Sequence, residues 1–243
     1  HRAFIVAPDT PRTDYLISCG ANVEASGGVV GVWRHANARV RGMKRVQVEP
    51  HLSITGACSA EWVPIKPKTD AAFLFALMHV LVHEAGRERL DLPFLVKRTA
   101  SPYLVGPNGY YLRDRATKKP LVWDGARGAA VPFDTPGTDE ALEGRFEADA
   151  IEIGPDDAVL AEGRLPGTTA FTLTVDHLKP YSPEWAENVC EVPAARIRRI
   201  KAVRVAVVVR SEDVAKADAI NATLVGRTAW LFNCAANDAT CQG

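Results

Sequence analysis

Tyr15-Leu16-Ile17-Ser18-Cys19, running into Gly20-Ala21-Asn22-Val23-Glu24-Ala25-Ser26-Gly27-Gly28, is an apolar run that breaks into a glycine-rich turn, as a buried strand does on meeting a loop. Strand and Gly-rich turn together open a βαβ unit. After the turn, Val29, Val30, Val32, Trp33, Ala36 and Val40 recur at near-helical spacing with Arg34, Arg39 and Arg41 between them, which predicts an amphipathic helix from Val29, ended by Gly42. Arg45-Val46-Gln47-Val48 reads as a second strand, stopped by Glu49-Pro50. Parallel neighbours need a long crossover, and a helical pattern lies between these two strands, so they are expected side by side in a parallel sheet. A third run, Trp62-Val63-Pro64-Ile65, leads through Lys66-Pro67-Lys68-Thr69-Asp70 into an apolar helix from Ala71, with Phe73, Leu74, Leu77, Met78, Leu81 and Val82 on one broad face. The loops at Gly20, Glu49 and Lys68 should then share the rim where α/β sheets take their ligands.

Each loop brings its own chemistry. The first offers backbone N–H groups at a helix start, suited to a phosphate or pyrophosphate, and glycines that let a ligand come close. Glu49, at a strand end, can accept hydrogen bonds from a ribose or a base. The third loop puts Thr69 and Asp70 at the head of a helix, where capping of its orphan N–H groups is an equally good reason for both.

Gly20-x-Asn22-x-Glu24, Arg39-x-Arg41-Gly42-x-Lys44, Val48-Glu49-Pro50 and Trp62-Val63-Pro64-Ile65-x-Pro67-x-Thr69-Asp70-Ala71-Ala72 resemble, in this order, the central part of the molybdopterin oxidoreductase family, the dimethyl sulfoxide reductase type. Phe94-Leu95-x-x-Arg98-Thr99, Tyr181-Ser182-Pro183-Glu184-Trp185-Ala186 and Val192-Pro193-Ala194-x-x-Ile197-Arg198 carry the likeness over roughly residues 2–200. An ordered series is more specific than a lone glycine motif.

The resemblance implies a bis(molybdopterin guanine dinucleotide) cofactor carrying molybdenum or tungsten, gripped here at one guanosine diphosphate arm. Gly20, Asn22 and Glu24 are expected near the diphosphate, Glu49 and Pro50 at the ribose or base, and Lys68, Thr69 and Asp70 at the guanine. A carboxylate suits that last place because it accepts from the ring N–H and the exocyclic amine together. The likeness further implies two-electron chemistry on a small-molecule substrate. Two protein partners are implied: the rest of the catalytic subunit, and an iron–sulfur electron-transfer subunit. The family's 4Fe–4S cysteines and its metal-ligating residue belong upstream of Gly20, so the chain is expected to be a fragment, inactive alone, supplying no metal ligand. Two departures stand out. Glu49-Pro50-His51 replaces the usual Asp-Pro-Arg, and Pro67-Lys68-Thr69-Asp70 replaces Pro-Gly-Thr-Asp.

Two other readings stay open. A nicotinamide-dinucleotide oxidoreductase would bind at the same sheet edge, but Gly20-x-Asn22 lacks the G-x-G-x-x-G spacing and no catalytic acid or base follows the sheet. A non-catalytic pilus assembly or interaction protein rests on the C-terminal tail alone.

With 243 residues, 47% of them hydrophobic, the chain can bury one or two cores, and no apolar run approaches the roughly 18 residues of a membrane helix. Lys plus Arg equals Asp plus Glu at 29 each, so nothing argues for nucleic acid or a charged membrane surface. The sequence begins at His1, with no basic-then-apolar leader, as a fragment or processed form would; cytoplasm and periplasm both stay open. Five scattered cysteines, at 19, 58, 190, 234 and 241, give neither a disulfide framework nor iron–sulfur or zinc spacing.

The overall expectation is an α/β fold, a Rossmann-like parallel sheet flanked by helices, with a β-rich insertion. Residues 1–105 form the cofactor-binding part, 106–169 the insertion, 170–200 helices returning to the α/β domain, and 201–243 a tail of separate origin. In the first part Arg2 to Val6 reads as a short strand, Asp9 and Asp14 as turn acids and Cys19 as a buried structural thiol. His79 and His83 sit four apart beside Glu84, but without H-E-x-x-H order they read as satisfied or surface histidines. The insertion shows a hairpin with its turn at Asn108-Gly109 and a strand at Ala148 to Ile153. Further helices are expected over Ala170–Leu178, after the Ser182 cap with Pro183 at the first position, and from Val192; Arg196, Arg198, Arg199, Lys201 and Arg204 read as a solvated basic face. Val203 to Val209 reads as a strand, Ser211 to Ile220 as a polar loop or short helix, and Cys234 with Cys241 as a possible disulfide loop. This tail faintly resembles a type IV pilus assembly protein related to minor pilins.

Overall fold

The computed structural model describes residues 9–200. The expectations for Arg2 to Val6, for Lys201 and Arg204, and for everything in the tail, its cysteine loop and pilus-like end included, lie outside the described residues.

The elements run β1 (Tyr15–Cys19), α1 (Val23–Ser26), α2 (Gly28–Arg41), β2 (Lys44–Glu49), α3 (Ile54–Ala57), β3 (Glu61–Pro64), α4 (Asp70–His79) and α5 (Leu92–Arg98). Strands β4 (Leu104–Val105), β5 (Leu112–Arg113), β6 (Leu121–Asp124), β7 (Ala129–Pro132), β8 (Arg145–Ile153) and β9 (Val159–Thr169) follow, then α6 (Ala170–Leu178), α7 (Pro183–Cys190) and α8 (Ala194–Arg199). They form two compact units, Asp91–Pro180 and the residues on either side of it.

In the first unit β1, β2 and β3 make a parallel sheet in that order, with Tyr15 opposite Lys44, Cys19 opposite Val48 and Glu49 opposite Pro64. The crossover α2 stops at Gly42, whose φ of 114° is the left-handed conformation that ends a helix at little cost for glycine. Central strand β2 alternates. Val46 and Val48 turn to an apolar core with Val63, Ile65, Phe73, Ala76, Leu77, Val80, Ala186, Cys190, Val192 and Ile197, all buried. That core joins the sheet to α4, α7 and α8. Ser182 caps α7 by accepting from the Trp185 N–H at 3.3 Å, with Pro183 in the first turn, as the sequence predicts.

Both helical stripes predicted from spacing need correction. On α2, Val29 (87%), Val30 (68%), Trp33 (63%) and Val40 (89%) are exposed, and the buried residues are His35 and Ala38. The sheet face beneath α2 is polar, so the helix turns an imidazole to it. On α4 the inward residues are Ala72, Phe73, Ala76 and Leu77, while Leu74 and Met78 face outward. The helix predicted from Ala71 through Val82 also changes register: a π turn spans Val80–Glu84, with the Ala85 N–H reaching Val80 O at 2.8 Å. Cys19, read as a buried thiol, is exposed; among the described cysteines it is Cys190 that is buried.

The second unit is built on the antiparallel sheet β4-β9-β8-β5, with β6 and β7 forming a separate hairpin. Its core is Leu104, Leu112, Leu121, Ala148 and Ala150, with Trp123 stacked on Phe146. The Asn108-Gly109 turn is present, Gly109 at φ 86°, and Glu152 holds it: this fully buried carboxylate accepts from Asn108 N and Nδ2 at 2.9 Å each and from Tyr110 N at 3.0 Å. In the β6–β7 hairpin the turn is organised by buried Asp124 accepting from Ala126 N and the Arg127 side chain. Helix α6 belongs to this unit because it continues directly from β9, and its Ala170 and Phe171 N–H groups bond Tyr103 O and Ser101 O.

Candidate functional site

Because the register puts Cys19, Glu49 and Pro64 at one end of the parallel sheet, the loops that begin at Gly20, Pro50 and Ile65 leave by one edge. The convergence predicted from the sequence is therefore present in the backbone. At Gly20 φ is 67°, the N–H continues the ladder to Val48 O at 2.9 Å, and a Cβ built there would meet nothing within 4 Å. Bare backbone thus faces open space at the first loop.

Asn22 and Glu24 look inward. Asn22 Oδ1 accepts from Thr55 Oγ1 at 2.9 Å, and the Glu24 N–H donates to the same hydroxyl at 3.0 Å. Glu24 Oε1 accepts from Arg45 Nη1 at 2.7 Å. Burial pushes the Glu24 carboxyl up, but hydrogen bonds from Thr55 and Arg45 outweigh it and hold the group below the usual carboxylate range. Arg45, with 0% exposure, also donates from Nε to Ser59 Oγ and from Nη2 to Thr55 O, both at 2.8 Å, and its Nη1 lies 3.2 Å from His35 Nδ1. Burial and then the Arg45 charge push the His35 pKa down, so a neutral ring faces the guanidinium and Nδ1 accepts.

Glu49 is 3% exposed, with Oε1 accepting from Ser53 N at 2.7 Å and Oε2 from Gln47 Nε2 at 2.9 Å. Burial raises its pKa less than the donors at Ser53 and Gln47 lower it. Gln47 also donates to Ala21 O at 3.1 Å, tying the second strand to the first loop. Gly56 is required beside this carboxylate, since a Cβ there would lie 2.5 Å from Glu49 Oε1. Pro50 is exposed.

At the third loop Lys68 holds φ 68°, so a lysine occupies the left-handed conformation that glycine prefers. Thr69 Oγ1 donates to Lys66 O at 2.6 Å, closing the turn; it does not cap α4, the alternative role open to it. Asp70 is exposed at the head of α4, and its charge, after partial desolvation, raises the pKa of the Cys19 thiol. Of the eight expected site residues, Gly20, Pro50, Lys68 and Asp70 are open to a ligand, Asn22, Glu24 and Thr69 are half-buried, and Glu49 is buried.

Arg45, Gln47, Ser53, Thr55 and Gly56 escaped the sequence reading. A signal was available: Arg45-Val46-Gln47-Val48-Glu49 alternates strictly, and in a strand covered on both faces the polar set must find partners inside. Elsewhere, Arg196 pairs with Glu61 at 2.6 Å and Arg198 with Glu184 at 2.6 Å, so the basic face of α8 is neutralised by carboxylates, and Arg198 pulls the Glu184 carboxyl down to about 2. The rings of His79 and His83 lie 4.7 Å apart, and among the described residues no group of three or more His, Cys, Asp or Glu is placed to hold a metal. No described helix is long and apolar enough to cross a membrane.

No family model matches the chain. Individual relatives do. It is 31% identical over 174 residues to a sulfite dehydrogenase of Allochromatium vinosum, covering 66% of this chain and 16% of that protein. It is 35% identical over 95 residues to the thiosulfate reductase molybdopterin-containing subunit of Salmonella typhimurium, 39% of this chain and 12% of that one. Against the dimethyl sulfoxide reductase DmsA of Haemophilus influenzae it is 27% identical over 197 residues, 79% of this chain and 18% of that one. These relatives are molybdopterin oxidoreductases of the dimethyl sulfoxide reductase type, and it is to them that the chain is similar. It spans less than a fifth of the length of each of these three relatives.

Proposed function

We propose that this chain is the segment of a molybdopterin-dependent catalytic subunit that holds the guanosine diphosphate arm of a bis(molybdopterin guanine dinucleotide) cofactor. The observation that carries the reading is the common edge of β1, β2 and β3, from which the three loops leave with Gly20 open above the first and Asp70 exposed on the third. This is a Rossmann-like use of a parallel sheet. The residues fit the group: backbone at Gly20 meets the diphosphate, Pro50 lies at the ribose or base, and Lys68, Thr69 and Asp70 lie at the guanine. Asp70 accepts from the ring N–H and the exocyclic amine. Asn22, Glu24 and Glu49 act from beneath, fixing the loops through the bonds to Thr55, Arg45, Gln47 and Ser53. When bound, the cofactor supplies two-electron redox chemistry at molybdenum or tungsten; this segment binds and orients its distal end. The 4Fe–4S cluster, the metal ligand and the small-molecule substrate site belong to the rest of the subunit, which passes electrons to an iron–sulfur partner.

Calorimetric titration of the chain with GDP and with ADP tests this. GDP is expected to bind in preference to ADP, and Asp70→Ala to remove the preference. Equal binding of the two nucleotides, or binding of neither, overturns the proposal.

A further inference from the structure

We infer that Arg45 is the positioning residue of this rim: it ties the first two loops to each other, so that they meet a ligand as one unit. The guanidinium reaches three ways from the middle of the sheet. Nη1 holds Glu24 of the first loop, while Nε and Nη2 hold Ser59 and Thr55 O of the second. Thr55 is the node. Its carbonyl accepts from Arg45 and from Ser59 Oγ (2.7 Å), and its hydroxyl donates to Asn22 Oδ1 while accepting from the Glu24 N–H. Neither loop can shift without breaking bonds that also belong to the other. Gln47 makes a second tie, from Ala21 O to Glu49. A lysine cannot take this place, because a single ammonium lacks the planar fork that serves three acceptors in fixed directions. Arg45 is also absent from the apolar core on the other face of β2, so its loss acts first on the loops. The coupling stands on these distances; its effect on nucleotide binding rests on the proposed function.

Hydrogen exchange of the full 243-residue chain, read by mass spectrometry, decides the coupling. In Arg45→Lys, peptides over residues 20–27 and 53–59 are expected to exchange together, about tenfold faster or more, while α4 and α7 keep their protection. Faster exchange in one loop alone, in neither, or throughout the chain at once overturns the inference. Glu24→Gln, which keeps an oxygen for Arg45 but strands its buried charge, is expected to loosen both loops as well; loops as protected as in wild type count against the geometry. Should Arg45→Lys not fold, Thr55→Val removes the node hydroxyl while sparing the buried ion pair, and the same paired loosening is required of it. GDP affinity in Arg45→Lys should fall about tenfold although the residue touches no ligand. Unchanged affinity with both loops loosened removes the positioning role. If the wild-type chain binds no GDP, only the proposed function fails, and the exchange result still decides this inference.

Discussion

The two faces of β2 solve different problems with alternate residues of one strand. Val46 and Val48 face one way into a core shared with Phe73, Leu77 and Ile197, where stabilisation grows with the apolar area removed from water and depends little on direction. Arg45, Gln47 and Glu49 face the other way, equally buried, and each is held by bonds of defined direction to the loops. Burying those groups costs free energy that their partners must offset, so this face yields little net stability for its size. What it yields is position. The apolar face holds the sheet to its helices, and the polar face sets where the rim loops stand.

Substitutions on each side should separate the two roles. The largest effect is expected from Phe73→Ala, which opens a cavity in the apolar core: a loss of about 3–5 kcal/mol in urea unfolding, with the order of the rim loops kept at temperatures where the variant stays folded. Arg45→Met should cost somewhat less, about 3 kcal/mol, mainly because it strands the Glu24 carboxylate; adding Glu24→Leu should recover much of that stability while the loops stay loose. If the double variant stays as unstable as the single one, the buried pair matters more for stability than the comparison allows.

Of the two faces of β2, only the polar one carries groups that acid titrates. Glu24 and Glu49 are held below the pKa of the unfolded chain, so they add stability at neutral pH that is fully present above about pH 5 and lost as pH falls through their depressed folded values. A urea-midpoint series from pH 7 to about pH 3 should therefore slope less in a folded variant carrying Glu24→Gln than in wild type, and the same slope in both would remove Glu24 from the account. The smallest effect is expected at the third loop. Lys68→Gly should raise stability by up to about 1 kcal/mol by relieving the left-handed lysine, readable as a small rise in thermal midpoint.

Much of this molecule is legible along the chain. Apolar runs broken by Gly20, Glu49-Pro50 and Lys66-Pro67 identify three strands, and the helical crossover between the first two is enough to make them parallel, because no short connection can do so. Gly42, Ser182 and Pro183 mark helix ends for local steric and hydrogen-bonding reasons that do not depend on the rest of the fold. Those are properties of neighbouring residues, and sequence order alone carried them, as it carried the family likeness. Only the tertiary structure decided which stripe of α2 turned inward. The spacing marked Val29, Trp33 and Val40, yet His35 and Ala38 are buried, because the surface beneath the helix presents Arg45 and rewards an acceptor over a methyl group. The same holds for the candidate site. Its carboxylates were visible as residue types, but whether Glu24 and Glu49 face a ligand or the protein depends on Arg45, Gln47, Ser53 and Thr55, partners up to 31 residues away that meet them only once the sheet has formed.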